Sequence, residues 1–204
     1  MGREMNSRGQ VLRAVGGLLG ALIMLAAPSV AAAAETIAGT TLTYKETSNG
    51  QRTTQVIART DDGRVAVLQS SDQIVYVQYD GAKYWICKKA KRCRVAAQGS
   101  KAKKTGEYIS DSFFKPNSPS GLAAVVMTKP RPAGAKTIAG VISDCKVSPV
   151  LLQPKKTATL CTARKGGFLT LLKAGGETYR LKHFVDQVES SFLTLPTGVW
   201  NGTI

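Results

Sequence analysis

Thr41–Ser48 (TLTYKETS), Asn49-Gly50 and Arg52–Arg59 (RTTQVIAR) form the stretch that decides the fold. Two runs rich in β-branched and aromatic residues flank an Asn-Gly pair. That pair is the strongest short-range hairpin signal, because both turn residues must accept positive φ. The pattern repeats outward. Asp62-Gly63 introduces Arg64–Ser70 (RVAVLQS), and Gln73–Tyr79 (QIVYVQY) turns at Asp80-Gly81 into Ala82–Cys87 (AKYWIC). Arg92–Ala97 closes this meander. Alternation is imperfect where Ile74, Tyr76 and Gln78 oppose Val75, Val77 and Tyr79, so both faces of that strand call for cover.

A second set of β-type runs begins at Lys136. Lys136–Val147 (KTIAGVISDCKV) and Thr157–Arg164 (TATLCTAR) are β-rich, with Pro149 and Pro154 confined to the connection. Gly166-Gly167 leads into Phe168–Lys173 (FLTLLK), and Gly175-Gly176 leads into Thr178–Glu189 (TYRLKHFVDQVE). Ser191–Leu195 (SFLTL) reads as a last strand ending before Pro196. Between the two sets, Gln98–Thr105 is polar, basic and rich in small residues, which predicts a mobile loop. Pro119–Met127 (PSGLAAVVM) predicts a short helix with Ser118 as N-cap and Pro119 at the first helical position. The expectation is a mainly β domain: an antiparallel, incomplete (half-open) barrel of about ten strands with one or two short helices.

The first residues read as a leader and stand outside the fold. Arg3, Arg8 and Arg13 precede an apolar run of 14 residues, Ala14–Ala27, and Val30–Ala34 (VAAAA) supplies a small-residue cleavage site. These are the three parts of a secretory signal peptide, and the run falls short of the roughly 20 residues that span a membrane. Residues 1–34 are therefore expected to be a signal peptide, and residues 35–204 one β-rich domain, periplasmic or secreted after cleavage and not membrane-spanning.

Cys87, Cys93, Cys145 and Cys161 form an even set in a disulfide-permissive compartment. Four cysteines allow three pairings. The hairpins favour Cys87 with Cys93, which flank one tip, and Cys145 with Cys161, which fall mid-strand in consecutive runs. A metal site is disfavoured, because the set lacks a C-x2-C spacing and the single His183 is remote in sequence.

The order of these elements resembles the LolA-like periplasmic lipoprotein-carrier fold, together with a group of uncharacterised exported bacterial proteins that share it. The residues carrying the resemblance are the hairpin Tyr79-Asp80-Gly81 through Ala97, the segment Lys136–Gly140 leading to Cys145, the Cys161 strand and the terminal Phe192–Gly198 (FLTLPTG). The resemblance implies an incomplete antiparallel barrel wrapped around a helical lid over an apolar cavity.

Candidate chemistry is sparse. Hydrolysis by a Ser-His-Asp set would need His183, which sits among alternating strand residues, and the sequence holds no G-x-S-x-G. Asp61-Asp62-Gly63 reads as a turn; Asp111, Asp144 and Asp186 are scattered. The expectation is a protein that is not an enzyme and takes no cofactor. Charge supplies the sharpest local signal. The chain has 28 Lys or Arg against 13 Asp or Glu, a net +15. Lys88, Lys89, Lys91, Arg92, Arg94, Lys101, Lys103 and Lys104 crowd one acid-free stretch beside Tyr84 and Trp85. Such a cluster attracts anionic surfaces in a salt-dependent way; a solvated basic face is the plain alternative. Nucleic acid is chemically possible, but export disfavours it as a natural partner. Two functions follow as expectations. One is an envelope protein that binds an apolar or amphipathic, lipid-like ligand. The other is an envelope interaction protein that holds an anionic surface or partner protein through the basic hairpin, without a ligand cavity.

Overall fold

The computed structural model describes residues 35–48, 50–69, 74–88, 92–151 and 153–195, so the expected signal peptide lies outside the described residues. The first meander is β1 (Thr36–Ser48), β2 (Gln51–Thr60), β3 (Val65–Gln69), β4 (Ile74–Tyr79), β5 (Lys83–Lys88) and β6 (Arg92–Gln98). Two helices follow, α1 (Gly99–Phe114) and α2 (Leu122–Val126). The second meander is β7 (Arg131–Ile138), β8 (Val141–Val150), β9 (Gln153–Ala163), β10 (Leu169–Ala174) and β11 (Glu177–Glu189), ending in a 3-10 turn at Ser190–Leu193.

All eleven described strands belong to one antiparallel sheet in the order β6-β5-β4-β3-β2-β1-β11-β10-β9-β8-β7. Each meander is therefore contiguous, and the two are joined by a single seam between β1 and β11. The seam runs from Thr36 opposite Glu189 to Thr47 opposite Thr178. Its register slips where Thr43 faces His183 but Tyr44 faces Leu181, so β11 carries one extra residue there. That extra residue resets the alternation and brings both Leu181 and Phe184 onto the core side. The sheet is open, as expected from the sequence.

One face of the sheet packs under the helices. Leu42, Tyr44, Ile57 and Val67 of the first meander and Leu160, Leu169, Leu172 and Leu181 of the second share a single cluster, to which Phe114 and Met127 contribute. Tyr44 is fully buried, and its hydroxyl donates to the Leu169 carbonyl at 2.7 Å, tying the meanders together across 125 residues of chain. Phe113 of α1 sits between the rings of Tyr44 (5.5 Å) and Tyr179 (6.2 Å). Glu46, buried in the sheet, accepts from the Tyr179 hydroxyl at 2.9 Å and from Thr53 at 3.1 Å.

The opposite face carries its own smaller cluster, Ala66, Tyr76, Cys87 and Cys93, covered by Leu193 and Leu195 from the end of the described chain. The mixed pattern of Gln73–Tyr79 has its explanation here. Val77 points to the helices, while Tyr76 and Gln78 point to this terminal strap.

The structure corrects several expectations about local structure. Gln98–Thr105 is not a loop, because from Gly99 it forms the first turns of α1, whose sixteen residues exceed a short helix. Its inner face begins with Ala102 and Gly106 and becomes apolar only at Ile109 and Phe113, so the helical period was hidden behind small residues. Gly106 lies against the Tyr79 ring, where a Cβ would come within 2.5 Å. The second helix begins at Leu122 with Gly121 as N-cap; Ser118–Gly121 is a turn closed by the Gly121 amide on the Ser118 carbonyl at 3.0 Å. Lys136–Val147 spans a hairpin turning at Ala139-Gly140, with β7 and β8 on either side, which adds one strand to the second set. Ser191–Leu195 is no strand: its carbonyls face side-chain donors, and the chain turns as a 3-10 segment.

Candidate functional site

The sheet opens where β10 runs out. β10 pairs with β11 only from Leu171 opposite Arg180 to Ala174 opposite Glu177, whereas β11 stays paired to β1 as far as Glu189. Residues 181–189 therefore continue past the β10 ladder. Opposite them lie the β7–β8 turn and the β9–β10 turn. The second turn is closed by the Ala163 amide on the Phe168 carbonyl at 2.8 Å and tied to β8 by the Arg164 amide on the Ile142 carbonyl at 2.9 Å.

Between these three elements is a cleft of about 520 Å³, lined by Gly140, Val141, Ile142, Arg164, Lys165, Gly166, Phe168, Phe184 and Asp186. Its volume falls in the range of small-molecule sites, roughly 300–1,000 Å³. Phe168 and Phe184 form its aromatic floor, their ring centroids 5.2 Å apart and tilted by 39°. Ile142 stands 54% exposed at the mouth, an apolar group facing water. On the rim, Arg164 is committed to Asp144 through two contacts of 2.7 and 3.2 Å. That pairing holds the Asp144 carboxyl below its usual range and raises the arginine further. Lys165 and Asp186 complete the charged rim.

The residues singled out by sequence fall elsewhere. Cys87 is bonded to Cys93 and Cys145 to Cys161, each pair directly opposite on neighbouring strands, and no free cysteine is present among the described residues. Lys88 faces Arg92 across the β5–β6 hairpin, with Arg94 further along β6; Lys89 and Lys91 lie outside the described residues. Lys101, Lys103 and Lys104 are exposed on the first turns of α1, beyond the far end of β6, so about 20 Å of strand separates them from the hairpin tip. The single run of charge in sequence is two groups in space, and Lys103 is further engaged with Glu107 at 4.0 Å.

The remaining candidates are dispersed. His183 is exposed on β11 opposite Thr43. Asp61 and Asp62 sit in the turn after β2, where Arg64 and Thr60 hydrogen-bond Asp62 and lower its carboxyl to about 2. Asp111 accepts from Ser120. Among the described residues no three metal-ligating side chains gather, and no helix is long and apolar enough to cross a membrane. The cleft itself was missed by sequence reasoning. The available signal was the pair of Gly-Gly turns, which trim β10 to six residues beside a thirteen-residue β11.

No protein-family model and no curated protein matches the chain. Solved structures do. An uncharacterized conserved protein from Thermus thermophilus is similar over 81% of this chain and 91% of its own, with 7% identity and a TM-score of 0.51. A crystal structure of MucB is similar over 73% of this chain and 53% of its own, with 20% identity and a TM-score of 0.45. The Pseudomonas aeruginosa MucA/MucB complex gives 76% and 54% coverage, 19% identity and a TM-score of 0.47. The chain thus spans about half the length of the MucB chains it matches. The likeness, carried by the Thermus thermophilus protein, is one of fold alone: an open antiparallel sheet with helices on one face.

Proposed function

We propose that this chain is a non-enzymatic, exported envelope protein that binds an apolar or amphipathic, lipid-like ligand in the cleft at the end of β10. The single observation that carries this reading is the 520 Å³ cleft itself, walled by Val141, Ile142, Phe168 and Phe184 with Lys165 at its rim. An apolar wall releases water when a chain enters, at roughly 25 cal/mol per Å² removed from solvent. On that mixed rim Lys165 offers one cation to an anionic head. The lining is that of a binder: its arginine is committed to a structural ion pair, and the polar groups that remain are spread around an apolar floor. Two buried disulfides support the assignment to an oxidising compartment outside the cytoplasm.

The test is binding of a fluorescent fatty acid to the natively purified protein, with native mass spectrometry to detect a co-purifying lipid. Ile142→Trp places a bulky ring in the mouth at an already exposed position and should weaken probe binding at least about tenfold, an effect of about 1.4 kcal/mol. Val185→Trp, on an exposed residue of β11 outside the cleft lining, is the control. Equal binding by wild type and both variants would remove the cleft as the site.

A second reading, attachment to an anionic surface or partner protein, is favoured by one observation: Lys88 and Arg92 stand directly across from each other at the end of the β5–β6 hairpin. It needs no cavity, and the two readings are separated by which variants matter.

A further inference from the structure

The strap face holds a feature independent of the cleft. Beyond β11 the chain turns at Ser190–Leu193 and runs over the outer side of β3–β5. Two buried side chains hold it there through its main chain: the Tyr76 hydroxyl donates to the Phe192 carbonyl at 2.6 Å, and the Gln78 amide donates to the Leu193 carbonyl at 2.9 Å. Leu193 and Leu195 pack on Ala66, Tyr76 and the Cys87–Cys93 disulfide, whose two cysteines are both 0% exposed.

The other disulfide has a different cover. Cys145 and Cys161 belong to the main cluster with Phe114, Met127 and Leu160, beneath the helices, and the Cys161 carbonyl accepts from the buried Thr170. Exposing that bond means opening the core of the domain. Exposing Cys87–Cys93 means lifting one short turn. Local openings cost only the contacts they break. The strap is held by two partly buried leucines and by hydrogen bonds that water can replace, those from Tyr76 and Gln78 and that of the Ser190 amide on the Glu35 carbonyl at 2.9 Å. Beside the docked strap the Gln78 Oε1 is buried with no hydrogen-bond partner among the described residues.

We propose that Ser190–Leu195 is a gate over Cys87–Cys93, so that strap release admits dithiol reductants to this bond while Cys145–Cys161 stays closed, making the end of the β5–β6 hairpin a redox-sensitive element. A reductant thiolate attacks one Sγ, the Cys87–Cys93 S–S bond breaks, and a mixed disulfide forms as the other cysteine leaves as a thiolate and takes a proton. The reductant's second thiol then displaces the protein sulfur, closing its own disulfide; two electrons and two protons have passed to the protein. Linkage makes the effect reciprocal: reduction loosens the surface on which the strap rests, and an undocked strap favours reduction.

The experiment treats the folded, oxidised full chain with dithiothreitol, quenches with iodoacetamide over time and maps the alkylated cysteines by peptide mass. Cys87 and Cys93 should label first. Leu193→Ala with Leu195→Ala, and separately Tyr76→Phe, should speed their labelling about tenfold or more, the equivalent of about 1.4 kcal/mol less strap docking. The rate at Cys145 and Cys161 should not change. Simultaneous labelling of all four cysteines in the wild type, earlier labelling of Cys145 and Cys161, or strap variants without effect would each overturn the gate. If the leucine variant loses its fold and opens both bonds together, Tyr76→Phe decides: selective acceleration at Cys87–Cys93 supports the gate, and an unchanged rate overturns it.

Discussion

Replacing Gly106 by alanine should destabilise the protein, against the ordinary preference of a helix. Gly106 lies in the interior of α1, where alanine is normally favoured by about 1 kcal/mol. Here the added Cβ would stand 2.5 Å from Cγ and Cδ1 of Tyr79 and 2.9 Å from its Cβ. Those atoms are the root of the side chain, and the ring is also held at its tip, where the Tyr79 hydroxyl donates to the Gly81 carbonyl at 2.8 Å. The clash cannot be relieved by a rotamer change, so the helix must lift or the strand must shift. Overpacking of this kind costs about 1–3 kcal/mol, and subtracting the propensity gain leaves a net loss of about 1 kcal/mol. Urea unfolding with the disulfides intact measures it. A double-mutant cycle isolates the cause: a Tyr79→Ala background removes the Cγ and Cδ1 contacts and leaves only the 2.9 Å approach to the Cβ, so the same Gly106→Ala change should cost less there than with Tyr79 present. Stabilisation by Gly106→Ala with Tyr79 present would refute the close helix–sheet approach.

Tyr44→Phe should cost about 1–3 kcal/mol, since it leaves the buried Leu169 carbonyl without a donor; thermal unfolding reads it. Burial shifts the ionisation of Tyr44, Tyr76 and Tyr179 to higher pH, so these phenols stay neutral in the fold while unfolded tyrosines ionise from about 10. The stability they carry is complete below that pH and is lost as pH rises through the folded values, which ultraviolet difference spectra should show as delayed ionisation coinciding with unfolding. At the acid end, Asp62 is depressed to about 2 from 3.8, chiefly by its hydrogen bond from Arg64, so its contribution is present above 3.8 and disappears as pH falls toward 2. Because the pair is exposed, Asp62→Asn should flatten that acid limb by well under about 1 kcal/mol. For the basic hairpin, Lys88→Gln with Lys89→Gln and Lys91→Gln should weaken binding to anionic vesicles by up to about 3 kcal/mol. The control Lys155→Gln, Lys156→Gln and Lys173→Gln should not, and equal loss in both would reduce the effect to diffuse charge.

Local signals carried much of the sheet. Asn49-Gly50 lies between the paired Ser48 and Gln51, and Gly81, at positive φ, turns the chain between Asp80 and Lys83, so β1–β2 and β4–β5 form around these signals. Cysteines placed on consecutive hairpin strands meet for the same reason: Cys87 opposes Cys93, and Cys145 opposes Cys161. The doubled apolar pattern of β4 showed that both its faces are covered, but not by what. One cover, α1, is disguised because close packing demands Ala102 and Gly106 where a helix pattern would show larger residues. The other is the Phe192–Leu195 strap, whose alternation mimics a strand until Tyr76 and Gln78 take its carbonyls.

Beyond the two Gly-Gly turns, local signals do not reveal the cleft, because it is a mismatch of lengths. No residue in it is unusual: a valine, an isoleucine, two phenylalanines and a few charges in ordinary strands and turns. It exists because the β10 ladder stops while β11, still paired to β1, goes on. Filling it would take only a longer β10, which the Gly166-Gly167 turn prevents by starting the strand late. The extra residue of β11 near Lys182 then matters doubly, since without that register slip Phe184 would point away from Phe168 and the cleft would lose its floor. A site assembled from a strand's end and a register slip lies in the relation between segments. A lengthened β9–β10 connection or a deletion of one residue at 182 should therefore alter ligand capture far more than any single substitution in the lining.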